Sequence, residues 1–323
     1  MRILVTGANG FIGSVVVRKL VASGRMVRCL VRRTSNTSRI DGLQFERVEG
    51  DIRDLSAVQA AVAKCHGVLH LASIVNWTDM SSGEMDEVVA GGTKNVLNAA
   101  RSAGCKRVVH VSSSLAVCGS EKPQLFGETS RHLARLAGLH YARAKVEAEN
   151  LCRQAGNEGL EVVIVNPGEV YGPNDNTLVT AGNLIDFAKS FPVLVCDGGT
   201  AVVHVDDVAD GIIAALERGR PGERYILGGD NLTIRQIAEL TLEILGQKKT
   251  ILRLPRWFVR GLAWMGRNLR VPLPFNPEVI PYATKYWFMD NSKARRELGV
   301  EFRDARETLR PAVLWLRERG YIK

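Results

Sequence analysis

The chain has 323 residues, 46% hydrophobic and 24% charged, with a formal net charge of +9. That length suits one large domain or two closely packed ones, and the composition is that of an ordinary soluble globular protein. The apolar runs fall short of a membrane span, and a glycine turn beginning at Gly7 leaves no room for the apolar core of a signal peptide. The basic balance suits nucleic acid, anionic lipid or a phosphorylated ligand. There is no dense Lys/Arg block and no nucleic-acid motif, so a solvated basic surface is expected and no nucleic-acid partner. Six cysteines, at 29, 65, 105, 118, 152 and 196, form no CxxC pair. Their apolar surroundings point to reduced, buried thiols in a cytoplasmic protein, and no metal site is expected.

RILVT (2–6) reads as a first strand and 11–23 as a helix closed by Gly24. MVRCLV (26–31) is a second strand, LQFERVEGD (43–51) contains a third, and GVLHLA (67–72) is a fourth. A helix around 84–103 ends at Gly104, RVVHVS (107–112) is a fifth strand, and LEVVIVNP (160–167) a sixth. β-Branched apolar runs alternating with helices predict an α/β fold, a doubly wound parallel sheet of Rossmann type. Residues 1–167 are expected to form this domain, its sheet completed by segments near 201–228. Residues 168–323 are expected to form mainly a smaller, mixed α/β region for substrate. Its last turns, NSKARRELG and RETLRPAVLWLRERG, read as amphipathic helices ending at glycines.

Within that region Phe258, Leu262, Met265 and Leu269 share a helical face. Trp257 and Trp264 stand near it, and Arg256, Arg260, Arg267 and Arg270 punctuate it. The plain reading is a core or pocket-wall helix. The sharper one is a lid over an apolar substrate that touches a membrane surface. Trp77, after the fourth strand, could add another apolar wall.

Gly7, Gly10 and Gly13 form a GxxGxxG turn between the first strand and helix. Such a turn lets backbone approach a pyrophosphate, and the helix N-terminus faces the anion with free N–H groups. An acid at the end of the second strand would select NAD; the chain has LVRRTSNTSR there. Arg32, with Ser35 and Arg39 close behind, suits the extra phosphate of NADP. NADP(H) is therefore preferred, with NAD(H) as the alternative. Asp51 could accept the adenine amino group, or cap the helix that starts near Asp54.

YARAK puts Tyr141 and Lys145 on one helical face. A tyrosine is a poor acid–base catalyst at neutral pH, and a nearby ammonium lowers its pKa. A serine cluster, VHVSSSLAVCG (109–119), closes the fifth strand, at the carboxyl edge where α/β ligands bind. Its alternative reading is capping of the next turn.

In this order the three motifs resemble the short-chain dehydrogenase/reductase superfamily. The length, HVDDVA (204–209) and the C-terminal region resemble its extended, NAD-dependent epimerase/dehydratase branch. The resemblance implies Tyr141 as proton donor or acceptor, Lys145 as its tuner and ribose ligand, and Ser114 as the polarising serine, with Ser113 second. It implies a cofactor held by Gly7, Asn9, Gly10, Phe11, Ile12 and Gly13 at the pyrophosphate and by Asp51 and Ile52 at the adenine. Leu71, Ala72 and Ser73 would line it, and Pro167 and Val170 would stand beside the nicotinamide.

Two departures bear on the substrate. Sugar-nucleotide epimerases often carry SSxxVYG, where this chain has Cys118, and place an arginine before HVDD, where it has GGTAVV. NPGEVYGPND, the segment from HVDD to GGDNLT, and DNSKARRELG look most like bacterial dihydroflavonol-4-reductase-like proteins. A subset of these is associated with hopanoid genes and labelled as sugar epimerases. The expectation is an NADPH-dependent reductase of a small apolar or aromatic ketone or aldehyde. The alternative is an NDP-sugar epimerase or dehydratase. A monomer or homodimer is expected.

Overall fold

A computed structural model describes residues 1–74, 83–131, 138–269, 272–273 and 275–323. Trp77 and Arg270 lie outside the described residues.

The chain runs β1 (Arg2–Thr6), α1 (Phe11–Ala22), β2 (Met26–Val31), β3 (Glu46–Glu49), α2 (Leu55–Val62) and β4 (Gly67–His70). The next helix starts as α3 (Glu84–Asp86), widens through a π turn at Glu87–Gly91 and continues as α4 (Gly92–Ser102). β5 (Arg107–Val111), a 3₁₀ turn at Ser114–Ala116, β6 (Leu125–Phe126), α5 (His140–Asn157) and β7 (Glu161–Pro167) follow. The remainder comprises β8 (Glu169–Tyr171), α6 (Ala181–Lys189), β9 (Val193–Cys196), β10 (Gly199–His204) and α7 (Val205–Arg218). Then come β11 (Arg224–Leu227), β12 (Asn231–Thr233), α8 (Ile234–Leu245), β13 (Ile251–Leu254), α9 (Arg256–Leu269), α10 (Ile280–Ala283), β14 (Tyr286–Met289) and α11 (Ala305–Glu318).

Seven parallel strands lie in the order β3-β2-β1-β4-β5-β7-β11. The order reverses between β1 and β4, and in such sheets ligands bind beyond the strand ends at this point. Both faces are covered, which is why β1, β4 and β5 are nearly continuous apolar runs instead of alternating ones. One face packs α1 and α7 around Val5, Val16, Leu69, Val109 and Ile212. The other packs α2, α4 and α5 around Leu4, Val58, Val68, Val96 and Cys152.

The second, mixed sheet has the order β12-β10-β14-β6, with β8 also paired to β10. β10 pairs antiparallel with β12 and parallel with β8 and β14. Helices α6, α8 and α11 close a third apolar cluster over it, centred on Leu184, Ile237 and Leu309. The cysteines are free thiols, five buried and Cys196 half-buried. Among the described residues no helix is long and apolar enough to cross a membrane.

Candidate active site

The glycine turn leads from β1 into α1. Gly7 has φ +68°, and a Cβ there would fall 2.7 Å from the Ala72 nitrogen, so the end of β4 passes directly against the turn. A Cβ on Gly13 would fall 2.1 Å from the Gly7 carbonyl oxygen. Both positions require glycine on geometry alone. Gly10 caps α1 without a side-chain hydrogen bond, and no acid stands in the first turn, so neither a cap nor a negative charge competes for the positive end of the helix. Below the turn, His70 Nδ1 lies 2.8 Å from Thr6 Oγ1 and its Nε2 lies 3.0 Å from Thr93 Oγ1. Burial holds this imidazole neutral, its pKa pushed down to about 3. Thr6 Oγ1 in turn accepts from the Ala72 N–H at 3.2 Å, so Leu71, Ala72 and Ser73 leave β4 on a fixed path.

Arg32, Arg33, Thr34, Glu49, Gly50, Asp51 and Arg53 line an open groove of about 420 Å³ at the ends of β2 and β3. The expected Arg32 and Asp51 thus meet in one cavity. Arg53 grips Asp51 through Nε at 3.1 Å and Nη2 at 2.8 Å. This pair, with Arg32 contributing, holds the Asp51 carboxyl below its usual range. Ile52 is buried, and its carbonyl accepts from Asn95 Nδ2 at 2.9 Å.

Arg39 is placed differently from the expectation. Its guanidinium donates to the carbonyls of Asn9 at 3.2 Å and Asn174 at 2.8 Å, and it is not among the residues lining the groove. It latches the loop after β2 onto the glycine turn, assisted by Asn9 Nδ2 donating to the Asn36 carbonyl at 3.2 Å. Ser35 closes a tight turn through its N–H to the Arg32 carbonyl at 3.0 Å.

The Tyr141–Lys145 pair lies near the carboxyl ends of β5 and β7. Tyr141 opens α5, and its backbone N–H donates to the hydroxyl of Tyr282 on α10 at 3.1 Å. This contact serves as a cap for a helix that has no side-chain cap of its own. Lys145 is one turn on, buried, with Nζ 5.7 Å from the Tyr141 ring centre and donating to the Val111 carbonyl at 3.1 Å.

Burial pushes the Tyr141 phenol well above its ordinary value, while the hydroxyls of Ser113 and Ser73 pull it back down. The expected pull of Lys145 is not among these causes. The ammonium is itself desolvated, its pKa lowered to about 8 by burial, with Glu149 opposing.

The serine beside Tyr141 is Ser113, where the motif offset favours Ser114. Ser113 is extended (φ −159°, ψ 153°) and caps the 3₁₀ turn, its Oγ accepting from the Leu115 N–H at 3.2 Å. Ser114 begins that turn and is only 3% exposed. The change from strand to 3₁₀ backbone between them turns successive side chains in new directions, which the motif spacing does not register. The Ser73 hydroxyl is buried without a well-formed hydrogen bond.

A carboxylate beneath the site escaped the sequence reading. Glu149, one turn beyond Lys145 and 1% exposed, accepts from Ser112 Oγ at 2.8 Å, Asn166 Nδ2 at 2.7 Å and Arg153 at 2.7 Å. Asn166 Nδ2 also donates to the Ser113 carbonyl at 2.9 Å. Glu149 thereby ties α5 to the ends of β5 and β7. Its signal was the i,i+4 spacing from Lys145 on a face that must be buried. Beyond it, Pro167 ends β7 and Val170 is buried in β8. Among the described residues no His, Cys, Asp or Glu cluster could hold a metal.

A glycine turn at a doubly wound sheet's switch point, beside a Tyr–Lys pair with a serine, defines an NAD(P)-dependent oxidoreductase of the short-chain dehydrogenase/reductase superfamily. Within it, the chain belongs to the NAD dependent epimerase/dehydratase family, whose model matches residues 3–228. It is 34% identical to sterol demethylase protein B of Methylococcus capsulatus, over 100% of both chains. It is 30% identical to a putative dihydroflavonol 4-reductase of Synechocystis, over 99% of this chain and 95% of that one. The crystal structure of gox2253 superposes with a TM-score of 0.86 at 32% identity, covering 99% of each chain.

Proposed function

We propose that this oxidoreductase uses NADPH to reduce a ketone or aldehyde on an apolar or aromatic small molecule, in the manner of a dihydroflavonol-4-reductase-like enzyme. The observation that carries this reading is the convergence of the Tyr141, Ser113 and Ser73 hydroxyls, with Lys145 one turn behind. The glycine turn would hold the pyrophosphate, Asp51 and Ile52 the adenine, and Lys145 the ribose beside the nicotinamide. Arg32 and Arg33, exposed in the groove after β2, would take the extra phosphate. Bound NADPH supplies a hydride, which no side chain can.

The chain's own groups then manage the oxygen. Ser113 and Tyr141 hydrogen-bond the substrate carbonyl where negative charge develops. Tyr141 Oη, kept protonated by burial, gives its proton to that oxygen, and the carbonyl becomes a hydroxyl. Lys145 stabilises the phenolate left behind, until solvent restores the proton. Beside these polar groups, Leu115, Leu139 and Ala142 pack in the same cluster as Tyr141, an apolar flank that suits an apolar substrate.

The second reading, an NDP-sugar epimerase or dehydratase that recycles its cofactor, is favoured by the description of the family. Against it stands β10, buried along its whole length and offering no arginine to a sugar diphosphate. The test is a panel of carbonyl compounds and NDP-sugars with the purified protein, following reduced nicotinamide and products together. Net consumption of NADPH with an aromatic or alicyclic carbonyl is expected. Conversion of an NDP-sugar without net consumption would replace the reductase reading with the second.

A further inference from the structure

Helix α9 carries its apolar face outward. At about 100° per residue, Trp264, Trp257, Met265, Phe258 and Leu269 fall within an arc of about 140°. All five are exposed, Trp257 by 76%, Leu269 by 59% and Trp264 by 55%. The core-facing side is made of the small residues Val259 and Ala263, packed on Ile280 of α10. The reading of this segment as a core helix is therefore not met.

Between these two faces runs an edge of arginines, Arg256, Arg260 and Arg267, immediately beside the tryptophans. Arg253, Arg256 and Arg260, with Asp197, Pro255 and Trp257, line an open groove of about 710 Å³ at the start of the helix. The cations gathered here are these four arginines and Lys285, and their ion pairs use two carboxylates. Glu121 serves Arg256 at 2.7 Å, Arg260 at 3.0 Å and Lys285 at 2.9 Å, and Asp197 serves Arg253 at 2.6 Å. The edge keeps an excess of positive charge.

We infer that α9 docks the protein onto an anionic lipid bilayer, lying flat with its tryptophan face at the headgroup–acyl boundary and its arginine groove on lipid phosphates. The 14 residues of α9 reach about 21 Å, too short to span a hydrocarbon core of about 30 Å but suited to lying in the interface. Tryptophan prefers that boundary, where its ring is apolar and its N–H finds water. A basic edge beside an aromatic face is the pattern of interfacial helices. Charge complementarity separates this occupant from a second copy of the chain, which would bring another +9 molecule and the same cationic rim against the face. The surface is also close to the chemistry. Arg260 Nε donates to Thr284 Oγ1 at 3.0 Å, and α10, on which α9 packs, carries the Tyr282 hydroxyl that caps the catalytic helix. If the reductase reading holds, an apolar carbonyl dissolved in the bilayer meets the site from this side; the docking itself does not depend on that reading.

The test is flotation of the full chain with vesicles of phosphatidylcholine, with and without phosphatidylglycerol. The wild type should float with the anionic vesicles, sink with the neutral ones, and lose binding as salt rises. Trp257→Ser with Trp264→Ser should lower the bound fraction by roughly tenfold or more. Arg267→Glu should lower it by roughly fivefold or more. Turnover of a water-soluble carbonyl should stay at the wild-type level in each variant, which shows that the fold is intact. A wild type that sinks with anionic vesicles, or that floats equally with both lipids, overturns the inference. So do variants that float like the wild type. A wild-type dimer that the tryptophan substitutions convert to monomer, with flotation unchanged, would assign the face to a second copy instead.

Discussion

Lys145 Nζ stands 5.7 Å from the centre of the Tyr141 ring and spends a hydrogen bond on the Val111 carbonyl at 3.1 Å. Both side chains rise from α5, but their polar ends meet different partners, the lysine the end of β5 and the tyrosine hydroxyl Ser113 and Ser73. Their losses should separate. Tyr141→Phe keeps the ring and its packing but removes the proton, so turnover should fall by about 10²–10⁴-fold with cofactor binding retained. Lys145→Ala should weaken cofactor binding and turnover together. Cofactor titration with single-turnover rates decides it; near-normal turnover in Tyr141→Phe would end the proposed mechanism.

The pH dependence follows from Lys145, lowered to about 8. Tyr141 is raised by burial and stays protonated throughout, so reduction should decline as pH rises through about 8, when the ammonium is lost. Stability has the opposite sign. Between about 8 and the ordinary value of 10.5 the unfolded chain binds a proton that the folded chain does not, so stability from this group rises with pH in that window. Below pH 8 the cost of burying the charge is fully present. Lys145→Met should accordingly raise the melting temperature at pH 7 while abolishing activity, and the gain should shrink by pH 10. Calorimetric melts at the two pH values check this. Glu149 keeps Ser112, Asn166 and Arg153 as partners in the variant.

Ser113→Ala should cost more turnover than Ser114→Ala, because the Ser113 hydroxyl stands beside Tyr141. A loss of roughly 10²-fold is expected at Ser113, the scale of a donor to a developing oxyanion. Ser114→Ala should act mainly on stability. Steady-state kinetics paired with urea unfolding would show a reversal directly.

Arg32 and Arg39 should part company in a cofactor titration. Arg32→Ala removes an exposed guanidinium from the groove and should weaken NADPH roughly 10- to 100-fold, the value of a hydrogen bond to a charged group, while sparing NADH. Arg39→Ala unlatches the glycine turn from the Asn9 and Asn174 carbonyls and should weaken both cofactors alike, with a lower melting temperature. Equal effects of Arg32→Ala on the two cofactors would remove the phosphate assignment.

These cases mark what could be read from residues in order. Strands β1, β2, β5 and β7 were legible because a doubly covered parallel strand must be continuously apolar, and Gly7 and Gly13 because only glycine fits their contacts. Tyr141 and Lys145 were legible because helical periodicity forces them onto one face. Arg39 was not, since two backbone carbonyls 30 and 135 residues away compete for its donors and leave no local mark. Ser113 was displaced from notice by one residue, the point where strand becomes 3₁₀ turn. The small residues Val259 and Ala263 bind α9 to the molecule, and the large ones on its other side mimic a core face in any periodicity plot.

The seventh strand carries a consequence for how the chain is made. β11 pairs with β7 through Arg224↔Ile164 to Leu227↔Pro167, yet it is synthesised some sixty residues later, after β8, α6, β9, β10 and α7. On the ribosome, β7 must wait with one edge bare while those elements emerge, and a bare, flat, apolar edge is a template for another chain. A fragment ending at Pro167 keeps that edge permanently. It should aggregate where the full chain does not, so the nucleotide-binding half cannot be harvested as a free-standing module by cutting there.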